Sequence, residues 1–295
     1  MKSTYFRLGS SALLLALVAS CSPMGQHADP TPTASSYADA TATRDANLAL
    51  GNPSGAVTDA TNSPNNYLLA KTQYTMSYSR DQGKPNWVSW HLSAAWLGST
   101  ARQDNFAADA SLPSSWYHVG STSYSGSGFD RGHNCPSADR TGSVADNTAT
   151  FLMSNMMPQA PQNNQQTWAG LENYCRTLVS AGNELYIIAG SYGKGGTGSG
   201  SYATTLDGGR ITVPSNCWKV VVVLPVGTSD VSRITASTRV IAINSPNNNS
   251  LSTSWGTYRT SVNAIESATG YDLLSAVSTS IQSSIEATTD TGPTN

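Results

Sequence analysis

The stretch Phe129-Asp130-Arg131-Gly132-His133 sets an acid, a guanidinium and an imidazole side by side, with a glycine that lets the backbone turn tightly between them. Downstream, Asn164, Glu172 and Arg176 fall on one expected helix. These are the residue types that cleavage of a phosphate ester calls for. An imidazole activates water, a neutral side chain seats a hard cation, and guanidinium groups hold a phosphate whose negative charge grows during attack. Of the four histidines, His27, His91, His118 and His133, only His133 stands among such residues.

The helix expected from Asn164 to Ala181 limits how these groups cooperate. Leu171, Tyr174, Leu178 and Val179 recur at steps of three and four and form its apolar stripe, with Gly182 as the stop. Asn164, Trp168, Glu172 and Arg176 follow at successive steps of four on another, slowly rotating face. Taken alone, Glu172 and Arg176 would be an ordinary surface pair worth roughly 0.2–0.5 kcal/mol. Trp168 reads as a packing group. On a straight helix Asn164 and Glu172 are separated by about 12 Å of axial rise, too far for both to bind one ion. If Asn164 touches a cation, Glu172 takes part only through a metal-bound water, an arrangement that suits magnesium because it keeps much of its hydration shell.

Outward from these segments, Tyr74–Tyr78 and Trp87–Leu92 read as strands around the turn Asp81-Gln82-Gly83-Lys84-Pro85, an antiparallel hairpin. Asp146 to Met153 has helical composition, with Asp146 or Asn147 as its cap and Pro158 and Pro161 breaking the pattern beyond it. Leu185–Ala189, Lys219–Leu224 and Arg239–Ile243 are Val- and Ile-rich strands, and a last helix over Ser261–Thr269 ends at Gly270. Strands and helices without a regular alternation predict an α+β fold.

Composition frames the chain. With 295 residues and 38% hydrophobic content it supports a substantial core, and charged residues are only 12%. Lys2 and Arg7 precede the apolar run Ala12–Ala19, too short to span a bilayer and suited to a secretory leader over residues 1–20. The run ends in Val18-Ala19-Ser20-Cys21, which resembles a bacterial lipobox; acylation of Cys21 would tether the chain to a membrane surface, and ordinary cleavage would release it as a secreted product. Residues 21–46 read as a flexible Pro-, Thr- and Ser-rich linker, 47–287 as one domain and 288–295 as a frayed, disordered tail. Loss of the leader takes away Lys2 and Arg7 and no acid, leaving 14 basic against 18 acidic residues. That mild acidity excludes a broad electrostatic footprint for nucleic acid, so any binding relies on a local arginine cluster. Cys135, Cys175 and Cys217 permit at most one internal disulfide.

Other chemistries are poorly supported. No HExxH and no CxxC occurs, which argues against a closed zinc site. Gly193-Lys194-Gly195-Gly196-Thr197-Gly198 fits GxGxxG, but glycines and no helical pattern follow it, as in a surface loop. No GxSxG elbow stands between strand and helix.

Asp130-Arg131-Gly132-His133, the stretch Ser154-Asn155-Met156-Met157-Pro158-Gln159, and Asn164 with Trp168, Leu171-Glu172 and Arg176 resemble, in order and spacing, the DNA/RNA non-specific endonucleases of the ββα-metal class. The resemblance extends through Leu50-Gly51-Asn52-Pro53-Ser54-Gly55 and Ala101-Arg102-Gln103-Asp104-Asn105-Phe106, covers most of residues 47–285, and looks nearest to a secreted cyanobacterial member. It implies a central antiparallel sheet with flanking helices and long loops, and hydrolysis of DNA and RNA to 5′-phosphate ends. His133 then corresponds to the general base and Asn164 to the direct ligand of magnesium, with manganese as a substitute. Glu172 corresponds to the residue holding metal-bound water, and Arg102, Arg131 and Arg176 to groups on the phosphate. Asp130 orients the network, and Asn155 positions its neighbours. Cys135 stands where the class often has a small apolar residue. The partners implied are DNA and RNA, a membrane if Cys21 is acylated, and an inhibitor protein if one exists. The alternatives are a catalytically silent nucleic-acid-binding envelope lipoprotein, which would lack His133 or Asn164, and a nonenzymatic envelope protein, in which the arginines would scatter over the surface.

Overall fold

In the computed structural model, which describes residues 41–295, the chain forms β1 (Tyr67–Ala70), β2 (Thr75–Ser79), β3 (Lys84–Leu92), β4 (Asp130–His133), α1 (Val144–Ala149) and β5 (Met156–Gln159). A π-helical turn (Asn163–Trp168) runs into α2 (Ala169–Ser180), followed by β6 (Asn183–Tyr192) and four two-residue strands: β7 (Gly196–Thr197), β8 (Tyr202–Ala203), β9 (Thr205–Leu206) and β10 (Ile211–Thr212). Then come β11 (Asn216–Pro225), α3 (Asp230–Arg233), β12 (Val240–Pro246), β13 (Arg259–Thr260), α4 (Val262–Thr269) and α5 (Thr279–Ile285). The expected leader, Cys21, His27 and the linker up to residue 40 lie outside the described residues.

β1, β2, β3, β6, β11, β12 and β13 join in that order into one antiparallel sheet. Both its faces are covered, which is why its central strands read as continuous apolar runs. In β6, Leu185, Ile187 and Ala189 enter one core while Tyr186 and Ile188 enter the other. α2 and the β4–β5 ribbon close the first face through Met157, Trp168, Leu171, Tyr174, Cys175 and Val179. The second is closed by Val262, Ile265, Leu273, Leu274, Val277 and Ile285 from α4, α5 and the chain between them. Each such aliphatic side chain, fully buried, contributes about 1.5–3 kcal/mol. The result is the α+β architecture expected, with the ribbon and α2 carried on a rigid sheet.

Two local features differ from the sequence reading. The helix expected at Asp146–Met153 runs over Val144–Ala149, because extended Ser143 is the residue whose hydroxyl can accept from Asp146 N. Freed from capping, the Asp146 carboxylate accepts from Gln73 Nε2 at 2.9 Å and pairs with Arg44 at 3.1 Å. The C-terminal tail, expected to fray, is held: Asp290 is buried against the Arg239 guanidinium at 2.8 and 2.9 Å, with Arg259 at 3.5 Å. A bidentate, charge-assisted contact outweighs the ordering entropy of so short a segment. Cys135, Cys175 and Cys217, for which the sequence allowed at most one disulfide, are buried free thiols, each pushed up to about 12 by burial. The Gly193–Gly198 loop leads into the β7–β8 ribbon and not into a helix.

Candidate active site

β4 carries Asp130 to His133 and pairs antiparallel with β5, Asp130 facing Gln159 and His133 facing Met156. Neither strand has a strong strand signature, since one contains glycine and the other proline. They are held by side chains. Asn155 Oδ1 accepts from Cys135 N at 3.0 Å while its Nδ2 donates to Cys135 O at 2.8 Å and Thr150 O at 2.9 Å. Trp168, fully buried, donates from Nε1 to His133 O at 3.3 Å and so ties the start of the helix to the ribbon. Gly132 is required by Gln159, which lies across it: a Cβ there would stand 2.3 Å from Gln159 Oε1 and 2.6 Å from its Cβ. Gly132→Ala is therefore expected to destabilise by about 1–3 kcal/mol, the usual range for overpacking. An unchanged denaturation midpoint would refute that packing argument.

His133 is buried, with its ring edge-on to Phe106 at 5.7 Å and Phe151 at 5.1 Å. Among the described residues its Nε2 has no hydrogen-bond partner. Burial, helped by the positive charges of Arg102 and Arg131, pushes the imidazole down to about 3, so it is neutral near pH 7. The same two aromatic rings back the arginines: the Arg131 guanidinium lies 3.7 Å over Phe106 and that of Arg102 4.8 Å over Phe151. Arg131 donates to Ser121 O at 3.2 Å, and Arg102 to Asp104 Oδ1 at 2.7 Å and Ser137 Oγ at 2.8 Å.

Asn164 sits in the π-helical turn, a feature often found where a helix serves a site. Asp130 Oδ2 accepts from Asn164 Nδ2 at 2.8 Å and from Gln165 Nε2 at 2.9 Å. Because a carboxylate only accepts, this fixes the amide orientation and leaves the Asn164 carbonyl oxygen as the free end of the side chain. Asn164, His133, Glu172, Arg102 and Arg131 line one cleft of about 210 Å³. Arg102, Arg131 and Asn164 also line an adjoining hollow of about 350 Å³ with Phe106 and Asp130.

Arg176 is not among the residues lining either space; it pairs with buried Asp139 at 2.7 Å, one turn beyond Glu172. Glu172 lines the cleft from α2, and its carboxyl is raised by burial, against the opposing charge of Lys219. Lys219 was not anticipated. It is buried, 3.3 Å from Glu172 Oε1 and 4.2 Å over the Trp168 ring. Its signal was available: counting by two from Cys217 and Val221 places it on the face of β11 that meets α2.

A single neutral carboxamide oxygen, with the cleft's carboxylate eight residues further along the helix, fits a cation that keeps most of its water, as magnesium does. Among the described residues, the two clusters of His and carboxylate groups close enough to share an ion both lie elsewhere.

A ribbon crossed by a helix, presenting an unpartnered imidazole, a free carbonyl oxygen and two guanidinium groups to one cleft, is the arrangement of a ββα-metal nuclease. The chain belongs to the DNA/RNA non-specific endonuclease family, whose model matches residues 52–280. It is an endonuclease, a hydrolase of nucleic acid. It is 50% identical over 284 residues to a nuclease of Nostoc sp., covering 96% of this chain and 98% of that one. Nuclease C1 of Cunninghamella echinulata is 34% identical over 53% of this chain and 65% of its own. The fold matches a solved structure of EndoG in complex with EndoGI, with a TM-score of 0.62 and 21% identity, over 79% of this chain and 91% of that chain.

Proposed function

We propose that the enzyme hydrolyses DNA and RNA with magnesium as its cofactor and His133 as the general base, releasing 5′-phosphate ends. The observation that carries this reading is the meeting of His133, whose Nε2 is buried and unpartnered, with the free carbonyl end of Asn164 in a cleft lined by Arg102 and Arg131. Asn164 would hold the ion, which when bound supplies Lewis-acid stabilisation of the charge that develops on the phosphate. His133 Nε2 takes a proton from water, whose oxygen bonds to phosphorus while the bond from phosphorus to the 3′ oxygen breaks. The electron pair stays on that oxygen, which then takes up a proton. Arg102 and Arg131 hold the phosphate, and fixed guanidinium donors match its growing charge. Glu172 orients water beside Asn164 and aids protonation of the leaving oxygen, while Arg176 acts from behind it through Asp139. Contacts confined to phosphate explain indifference to the sugar.

Supercoiled DNA and an RNA transcript incubated with magnesium are both expected to be cut, with cleavage abolished by chelator and the new 5′ ends refractory to kinase until dephosphorylated. Asn164→Ala should raise the magnesium requirement at least ~10-fold, as loss of a metal-site contact does. Cleavage indifferent to chelator would overturn the reading, and manganese in place of magnesium should restore activity. We place the enzyme outside the cytoplasm, as a lipoprotein acylated on Cys21 or as a secreted product, on the strength of the leader-like residues 1–20. Mass measurement of the mature N-terminal peptide decides between them, and an intact leader excludes both. An inhibitor protein is a further partner, a reading supported by the fold neighbour having been solved with one.

A further inference from the structure

On the face of the sheet away from the cleft, α4, the turn after it and the end of α5 bring Glu266, Asp272 and Glu286 together, one oxygen of each within 4.8 Å of the others. Local geometry enforces the meeting. Gly270 ends α4 at φ 77°, a left-handed conformation that turns the chain back, so that Leu273 N donates to Glu266 Oε1 at 2.8 Å. Asn263 N donates to Glu286 O at 3.0 Å, fastening the end of α5 to the start of α4. Three carboxyl groups are thereby held close, and among the described residues none of the three makes an ion pair.

Clustered acids alone would carry little, but Glu286 adds a second observation. It is 7% exposed, and its Oε1 is buried with no hydrogen-bond partner among the described residues. A buried, unsatisfied oxygen on a carboxylate that meets two other acids is a costly group that a cation would complete. Its carboxyl is pushed up to about 7 by burial and then by Glu266 and Asp272, and that of Glu266 is also raised, chiefly by burial. The other acidic cluster, Asp45, His91, Glu184 and Asp230, differs in being answered: Arg233 lies 2.5 Å from Glu184 and 2.7 Å from Asp230, and His91 lies 3.2 Å from Glu184.

We propose that Glu266, Asp272 and Glu286 form a calcium site, separate from the nuclease cleft, that clamps α4 to α5. Calcium suits the arrangement better than magnesium, because it tolerates variable coordination by six to eight oxygens and water can fill the positions the three carboxylates leave.

The test uses the full chain carrying Asn164→Ala, which removes the cleft's own cation ligand, stripped with chelator and melted with increasing calcium chloride. The melting temperature is expected to rise saturably, by about 5 °C or more once calcium is ~100-fold above its dissociation constant, and less with equal magnesium. Adding Glu286→Gln should raise the melting temperature without calcium, by relieving the repulsion, and remove the response to it. Should that variant fail to fold, Asp272→Asn at the exposed end of the cluster is expected to weaken the response at least ~10-fold in calcium concentration, the usual cost of losing a metal-site group. Absence of a calcium response in the parent up to about 10 mM, well above the weak end of such sites, or an undiminished response in the carboxamide variants, overturns the proposal. In the chain with Asn164 intact, Glu286→Gln should leave magnesium-dependent cleavage unchanged.

Discussion

Replacing His133 with alanine is expected to lower cleavage of both DNA and RNA by at least ~10², and up to ~10⁴, the range for loss of a general base. The fold should survive, because the β4–β5 ribbon is held by Asn155 and by main-chain bonds that alanine keeps. Equal rates in the two proteins, each shown to be folded by circular dichroism, would remove His133 from the mechanism. The same residue sets a pH signature. Held near 3 by burial and by Arg102 and Arg131, the free enzyme's imidazole stays neutral well below its ordinary value of 6.5. The His133-dependent limb of kcat/KM should therefore lie on the acid side of that value; an inflection at 6.5 would mark an ordinary solvated histidine. Stability follows with a definite sign. Between 6.5 and about 3 the unfolded chain binds a proton that the folded chain refuses, so His133 costs nothing above 6.5 and destabilises progressively as pH falls through that window. At about 1.4 kcal/mol per unit the loss amounts to roughly 3–5 kcal/mol. Denaturant titrations at pH 7 and pH 4 should show His133→Ala losing less stability between the two than the parent.

Much of the site was legible because its residue types are chemically specific and their spacing is fixed by a helix. Asn164 and Glu172 meet one cleft, as the step of four implied, and Leu171, Tyr174 and Val179 bury the stripe read from the sequence. What escaped depended on groups far apart in the chain. β4 and β5 are stabilised less by propensity than by the Asn155 side chain and the Trp168 indole, and no local pattern announces either bond. The π turn at Asn163–Trp168 likewise has no periodic signature at this length. The docked tail depends on Arg239 finding Asp290 across the fold, a pairing that composition cannot reveal. Arg176 is a case where spacing was silent: the step of four gave only a surface pair with Glu172, the resemblance alone set it on the phosphate, and its guanidinium is found on Asp139 at 2.7 Å.

Lys219 is where fold and chemistry meet most closely. Its ammonium is buried over Trp168, with Trp90 at 5.7 Å, and among the described residues its one carboxylate partner is Glu172. Burial favours the protonated form of Glu172, and Lys219 works against it. Lys219→Met keeps the apolar stem against the indoles but removes the charge, so the Glu172 carboxyl should rise further. If Glu172 must be ionised to orient water, the acid limb of the rate profile moves to higher pH: activity falls at about pH 7 and recovers toward that of the parent as the pH is raised to about 9. Breaking the buried pair should also cost about 3 kcal/mol, the lower end for such pairs because Glu172 keeps 14% of its side-chain surface in water. A purely structural lysine would lower stability and rate together at every pH. A rate that stays depressed at pH 9, or a limb that does not move, would show that Lys219 supports the helix without tuning Glu172.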